Sequence, residues 1–238
     1  MTPEKVSPSS ETANNRSVTA QSIPAIELIG VSKVFGTEPN AVHALSPIDL
    51  KIEAGTFVSV VGPSGCGKST MLRLMAGLDQ PTTGELRRNG EVLNGPSSEV
   101  GIVFQDHVLF PWASVLDNVL LPAKQRAAFC RALLADPRLL LLDEPFGALD
   151  ALTREELSLE LSRLWQDLGR TALLITHDID EAILLGDRVI VLSSRPGRIR
   201  LDMPIDLPRP RDVNTEKHPR FVEITQTARR LLFSRESG

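Results

Sequence analysis

With 238 residues, 42% hydrophobic and 24% charged, the chain is ordinary for a soluble globular protein and long enough to bury a substantial core. A formal net charge of −4 gives nucleic acid nothing to attract, and two cysteines, Cys66 and Cys130, fit neither a disulfide framework nor a zinc site, so a reducing compartment is the default. The sequence has no N-terminal apolar signal core and no uninterrupted apolar run of bilayer length, so any membrane role comes through a partner.

Residues 1–22 are rich in Ser, Thr, Asn and Glu and read as a disordered leader. Order begins near Pro24, where Ile26 and Leu28 predict a strand through Ile29 and then a turn ending at Phe35-Gly36. Ile48, Leu50 and Ile52 alternate in period two, a second strand. Phe57–Val61 is a short apolar β run. It feeds the stretch Gly62-Pro63-Ser64-Gly65-Cys66-Gly67-Lys68-Ser69-Thr70, after which Met71, Leu74, Met75 and Leu78 share one helical face. Gly77 is placed to close that helix. Residues 86–92 read as a hairpin about a type I′ Asn89-Gly90 turn, and 100–104 as a strand ending at Gln105.

Ser114 with Asp117 predicts a capped helix through Leu120, and 127–134 is helical again, stopping at Asp136-Pro137. The leucines at 139–142 run into Asp143-Glu144, the pattern of a central parallel strand buried on both faces. Thr153 with Glu156 predicts a capping box for a helix bearing Leu157, Leu161, Leu164, Trp165 and Leu168, closed by Gly169. Residues 172–175 form a buried strand ending at Thr176-His177, Asp178 with Glu181 caps a short helix to Gly186, and 189–192 is a further strand. Arg195-Pro196-Gly197 is a turn, 207–211 an extended connector, and Phe221, Ile224, Ala228, Leu231 and Leu232 mark an amphipathic helix.

Strand, glycine loop, Lys-Ser and helix is the context in which a phosphate loop works. Glycines let successive backbone N–H groups turn inward around an anion, and the helix start adds unpaired N–H groups and a positive dipole end. Lys68 would reach the β- and γ-phosphates, and the Ser69 hydroxyl would ligate Mg2+. Alternating strands and helices imply a mostly parallel sheet, with ligands beyond the carboxyl ends of its strands. The glycine loop, Gln105, Asp143-Glu144 and His177 all stand at such ends. Asp143 is placed to hold Mg2+, Glu144 to polarise an attacking water, Gln105 to ligate Mg2+ and sense the γ-phosphate, and His177 to hydrogen-bond it. Plainer roles exist for each. An acidic pair after a strand also caps helices, and a lone histidine or glutamine is more often structural. Phe35 is equally a core residue or an adenine-stacking ring. Cys66 has nothing nearby in sequence to activate it as a nucleophile except the loop itself.

Residues 62–70, Gln105, 139–144, Gly147-Ala148-Leu149-Asp150 and Thr176-His177 resemble, in family order, the Walker A, Q-loop, Walker B, D-loop and H-loop of ABC transporter ATP-binding subunits. Phe35 sits where that family places its adenine-stacking aromatic. Residues 143–150 resemble importers, and 193–199 and 206–211 resemble the nitrate, sulfonate and taurine branch. The resemblance spans roughly residues 25–233. It implies an α/β fold: a P-loop NTPase core with a mostly parallel sheet flanked by helices, plus an N-terminal antiparallel β subdomain. One ATP-binding domain would run over 23–238, with a C-terminal extension from about 195. The implied activity is ATP hydrolysis powering import of a small anion such as nitrate, a sulfonate or taurine. Phe35, Gly62, Pro63, Ser64, Gly65, Cys66, Gly67, Lys68, Ser69, Thr70, Gln105, Asp143 and Asp150 would hold ATP. Ser69, Gln105 and Asp143 would hold Mg2+, and Glu144 and His177 would be catalytic. The implied partners are a membrane permease and a second ATPase subunit, identical or paired, on the cytoplasmic face of the cell membrane, with no nucleic acid and no direct membrane span.

One family feature is missing. No two glycines are adjacent, so the Leu-Ser-Gly-Gly-Gln signature has no counterpart. Only 13 residues separate Phe110 from Lys124, room for about one average helix, which predicts a helical lobe truncated to about 106–135. In the family, ATP is sandwiched between one subunit's glycine loop and the partner's signature, whose amides and helix dipole stabilise the γ-phosphate. The lobe also forms the groove that grips the permease. A second class of function follows, a signature-less, hydrolysis-poor nucleotide-binding remnant or regulatory module, which binds ATP without turnover. A repair or chromosome ATPase fits less well for want of a long heptad stretch. A small-molecule kinase fits less again, because Asp143-Glu144 and His177 favour water over an acceptor hydroxyl.

Overall fold

The computed structural model describes residues 23–104, 132 and 136–233. The expectations placed on the leader at 1–22, on Gln105 and, Ala132 apart, on the lobe at 106–135 lie outside those residues.

Strands β1 (Ile26–Phe35), β2 (Val42–Ile52), β4 (Thr83–Arg88) and β5 (Glu91–Val92) form an antiparallel sheet in the order β2-β1-β4-β5. The strand expected to stop at Ile29 continues to Phe35. Register shifts between Leu28 and Val31, with Gly30 at φ 57°, interrupt the alternation that the sequence shows, yet Val31 pairs with Ile48 and Phe35 with Val42. Such irregularities are β-bulges, which bend a strand without ending it. Asn89 (φ 50°) and Gly90 (φ 82°) make the left-handed pair that a type I′ turn requires.

The second sheet has the order β10-β9-β3-β8-β7-β6. Its strands β3 (Phe57–Val61), β6 (Val100–Val103), β7 (Leu139–Asp143), β8 (Thr171–Thr176) and β9 (Arg188–Leu192) are parallel, and β10 (Ile199–Pro204) adds an antiparallel edge. The sequence expectations do not include β10. Its apolar residues Ile199, Leu201 and Met203 alternate with Arg200 and Asp202, as a half-exposed edge strand allows.

β7 is buried along its whole length. Leu139 and Leu141 join the cluster holding Met71, Leu72 and Met75 of α1 (Lys68–Met75), while Leu140 and Leu142 join Leu157, Leu161 and Trp165 of α2 (Ala151–Leu168). Each such side chain contributes about 2 kcal/mol of burial. Helix α2 begins earlier than its expected Thr153 cap. Asp150 is the N-cap, accepting from Thr153 N at 3.1 Å and from the Thr153 hydroxyl at 2.8 Å, so the threonine serves the better cap instead of forming one. Helix α3 (Ile179–Leu185) is capped by Asp178, as expected, and ends at Gly186. Helix α4 (Pro219–Phe233) packs Phe221, Ile224 and Ala228 against α3 and β9.

The connector at 207–211 fastens this end of the molecule. Buried Arg211 donates to the carbonyls of Ile183 and Leu184 at the end of α3 and to those of Ile205 and Leu207. Burial, with Arg209 beside it, lowers its pKa to about 10. Arg209 grips Asp187 at 2.7 Å and lies 4.6 Å over the Trp165 ring.

Candidate functional site

The carboxyl ends of β3, β7 and β8 carry, in turn, the glycine loop, Asp143-Glu144 and His177. The β7–β8 register pairs Asp143 with Ile175. It therefore sets the residues just beyond each strand side by side.

The loop's shape depends on Gly67, at φ 103°. A Cβ there would stand 2.7 Å from both the Ala44 carbonyl oxygen and Leu45 Cδ2, so no other residue fits. Gly67 offers α1 no side-chain cap, which leaves the first helical N–H groups turned toward the loop. Lys68 is buried, and its Nζ donates to the Gly62 carbonyl at 2.8 Å and the Pro63 carbonyl at 3.2 Å. The same Nζ lies 4.0 Å from Glu144 Oε1. The Ser69 hydroxyl donates to Asp143 Oδ1 at 3.2 Å.

Glu144 sits at φ 44°, a left-handed conformation for a residue with a side chain. Such backbones cost about 1–3 kcal/mol and persist where their surroundings hold them. Here the Glu144 N–H donates to the Ile175 carbonyl at 2.8 Å. The carboxylate Oε2 is 3.1 Å from His177 Nδ1. Behind His177, the Thr176 hydroxyl donates to buried Glu181 and accepts from Asp178 N at 3.0 Å. Desolvation raises the Glu181 pKa to about 7. Arg154 staples the segment after Glu144, donating to the Leu149 carbonyl and to Asp178 Oδ2, each at 3.1 Å.

A cavity of about 330 Å³ opens over the loop, walled by Phe35, Ser64, Lys68, Ser69, Glu144 and Arg195. Phe35 is 41% exposed at its mouth, with Lys33 Nζ 5.0 Å from the ring centroid, so it is not a core residue. Gly65, Gly67 and Thr70 also line the cavity, whereas Gly62, Pro63 and Cys66 are not among its lining residues. Cys66 is 1% exposed, and burial pushes its thiol pKa up, which removes it as a nucleophile. Asp150 stands apart, occupied as the cap of α2, where the Thr153 amide and hydroxyl hold its carboxyl below the usual range. Val42, Ala44 and Arg195 are the cavity residues that sequence reasoning missed, and Arg195 is the charged one. Its Nε donates to the Gly65 carbonyl at 2.9 Å from 130 residues away, and no local pattern announces that.

Ser69 lines the cavity and Asp143, bonded to it, does not; the hydroxyl and carboxylate are hard oxygen donors, a set that suits Mg2+, which keeps several waters and takes one or two carboxylates. Among the described residues no group of three or more His, Cys, Asp or Glu forms a closed metal cage.

The ABC transporter family profile matches residues 45–124. The aliphatic sulfonates import ATP-binding protein SsuB of Bacillus cereus (strain ATCC 10987 / NRS 248) is 39% identical over 234 residues, covering 84% of this chain and 92% of that protein. The chain belongs to the ABC transporter family. It is an ATP-binding subunit of the ABC ATPase type. SsuB of Pseudomonas fluorescens (strain Pf0-1) is 46% identical over 213 residues, covering 76% of this chain and 77% of that protein. In both alignments the aligned length exceeds the part of this chain that enters it, so these ABC relatives carry residues inside the aligned stretch that this chain lacks. The dimeric post-hydrolysis structure of the ATP-binding cassette MJ0796, bound to ADP and Pi, matches with a TM-score of 0.64 at 28% identity, over 77% of this chain and all of that one. Among the described residues no helix is long and apolar enough to cross a membrane.

Proposed function

We propose that this chain hydrolyses MgATP as one of two paired ATPase subunits that drive a permease importing a small anion of the sulfonate class, on the cytoplasmic face of the membrane. The observation that carries the reading is the contact of 3.1 Å between Glu144 Oε2 and His177 Nδ1 at the rim of the phosphate loop. Relatives named for aliphatic sulfonate import support the substrate class.

The roles follow from chemistry. The open face of Phe35 stacks on adenine, and the N–H groups of residues 64–70 surround the β- and γ-phosphates. Lys68 exchanges the Gly62 and Pro63 carbonyls for phosphate oxygens. Ser69 and Asp143, with Gln105, would hold Mg2+, which neutralises charge on the β- and γ-oxygens when bound. Glu144 accepts a proton from the attacking water, whose oxygen bonds to the γ-phosphorus as the bond to the bridging oxygen breaks, giving ADP and phosphate. His177, whose Nδ1 lies 3.1 Å from Glu144 Oε2, presents Nε2 to the γ-phosphate. Asp150 acts by capping α2. The ATP-binding domain runs from residue 23, with its C-terminal extension from about 195.

The test is steady-state ATP turnover by the chain and by Glu144→Gln. The variant should retain ATP binding and lose turnover by about 100-fold or more. The missing Leu-Ser-Gly-Gly-Gln stretch favours a second reading, a nucleotide-binding module that hydrolyses poorly. Binding of ATP with turnover no faster than that of Glu144→Gln, even with permease present, selects the second reading.

A further inference from the structure

We infer that Arg195 is a second phosphate-binding cation of the nucleotide site, acting with Lys68 on the polyphosphate; this rests on the ATP-binding reading above.

Arg195 reaches the loop from the turn between β9 and β10, a part of the chain with no phosphate-loop sequence. Its Nε donates to the Gly65 carbonyl at 2.9 Å. Its Nη2 lies 3.1 Å from where a Gly65 Cβ would stand. The guanidinium therefore lies along the rim of the loop, and it walls the same cavity as Lys68, Ser69 and Glu144. Among the described residues Arg195 pairs with no carboxylate, unlike Arg188, Arg209 and Arg220 in the same C-terminal third.

A guanidinium has five N–H donors, and the Gly65 carbonyl takes the Nε one. The two Nη groups form a planar fork that suits phosphate oxygens, and charge-assisted bonds of this kind are about twice as strong as neutral ones. A cation with no carboxylate partner among the described residues, beside a loop that gathers backbone N–H groups, adds to the same positive field.

The turn is built to hold that position. Gly197 N donates to the Ala44 carbonyl and Ser46 N to the Gly197 carbonyl, both at 3.0 Å. A Cβ on Gly197 would stand 2.2 Å from the Cys66 carbonyl oxygen, so the turn lies directly against the loop. Ser193 Oγ closes it, donating to the Pro196 carbonyl at 3.1 Å and accepting from Arg198 N at 3.0 Å. Backbone bonds to β2 and close packing on the loop pre-organise Arg195 before any ligand arrives.

The competing role is a neutral staple on the Gly65 carbonyl. Two substitutions separate the roles, because Arg195→Gln keeps an N–H donor and loses the charge, whereas Arg195→Ala loses both. Kd values for MgATP, MgADP and adenosine are measured by calorimetry, or by ligand-observed NMR for adenosine, on the full chain and on Lys68→Ala. The inference predicts that both Arg195 variants bind MgATP and MgADP about tenfold more weakly, with adenosine unchanged and Arg195→Lys in between. Near-native MgATP affinity in Arg195→Gln, or an equal loss for adenosine, overturns it. Should Arg195→Ala unfold, Arg195→Gln and Arg195→Lys carry the comparison. If the unaltered chain binds no nucleotide, or Lys68→Ala costs nothing, the ATP-binding reading itself fails.

Discussion

Glu144 Oε2 stands 3.1 Å from His177 Nδ1, though the two are 33 positions apart in the chain. Parallel pairing of β7 with β8 puts both just past the strand ends, and the left-handed backbone of Glu144 turns its carboxylate toward the ring. If His177 meets the γ-phosphate and positions Glu144, His177→Ala loses both roles. It should lower ATP turnover about 10- to 100-fold while changing the MgATP Kd by no more than about threefold. Steady-state kinetics beside equilibrium titration checks this. A loss confined to affinity would place His177 in binding alone.

Ser69 and Asp143 meet at 3.2 Å across 74 residues. If they hold Mg2+, Asp143→Asn should weaken the dependence of ATP affinity on Mg2+ more than it weakens metal-free ATP binding. A titration of ATP affinity against Mg2+ concentration reads the difference. A variant with the Mg2+ response of the unaltered chain would remove Asp143 from the metal site.

Glu181 gives the fold a pH dependence opposite to that of an exposed, paired carboxylate. Burial raises its pKa from 4.5 to about 7, with Asp178 and Glu144 adding and Thr176 and Arg154 opposing. Between those values the folded chain holds a proton that the unfolded chain has released. The stabilising contribution is thus complete below pH 4.5 and is lost as pH rises to about 7, at no more than about 1.4 kcal/mol per pH unit. Denaturant titrations across that range should show a slope that flattens in Glu181→Gln. Identical slopes in the two proteins would contradict the assignment.

Leu141 is fully buried in β7, in the cluster that holds α1 beneath the phosphate loop. Leu141→Ala should cost about 3 kcal/mol through lost burial and an unfilled cavity, measured as a lower denaturant midpoint. A cost near zero would mean that the sheet collapses around the gap.

What the sequence reveals is what short stretches of chain encode. The leucines at 139–142 declare a doubly buried strand because both faces must be apolar, and Asn89-Gly90 declares its turn because both residues need positive φ. The glycine loop is legible for the same reason. Effects that arise between distant residues are not legible. Bulges near Gly30 make a continuing strand look like a turn, and the competition between Asp150 and Thr153 for the cap of α2 is decided by geometry. Arg195 joins the phosphate loop only because the β9–β10 turn rests on it.

We propose that this phosphate loop serves ATP hydrolysis with Glu144 as the base. The most direct test is single-turnover hydrolysis of MgATP by the unaltered chain and by Glu144→Gln at saturating nucleotide. Phosphate release is expected from the first and a rate about 100-fold or more lower in the second, with bound ATP retained in both. Equal rates in the two proteins would contradict it.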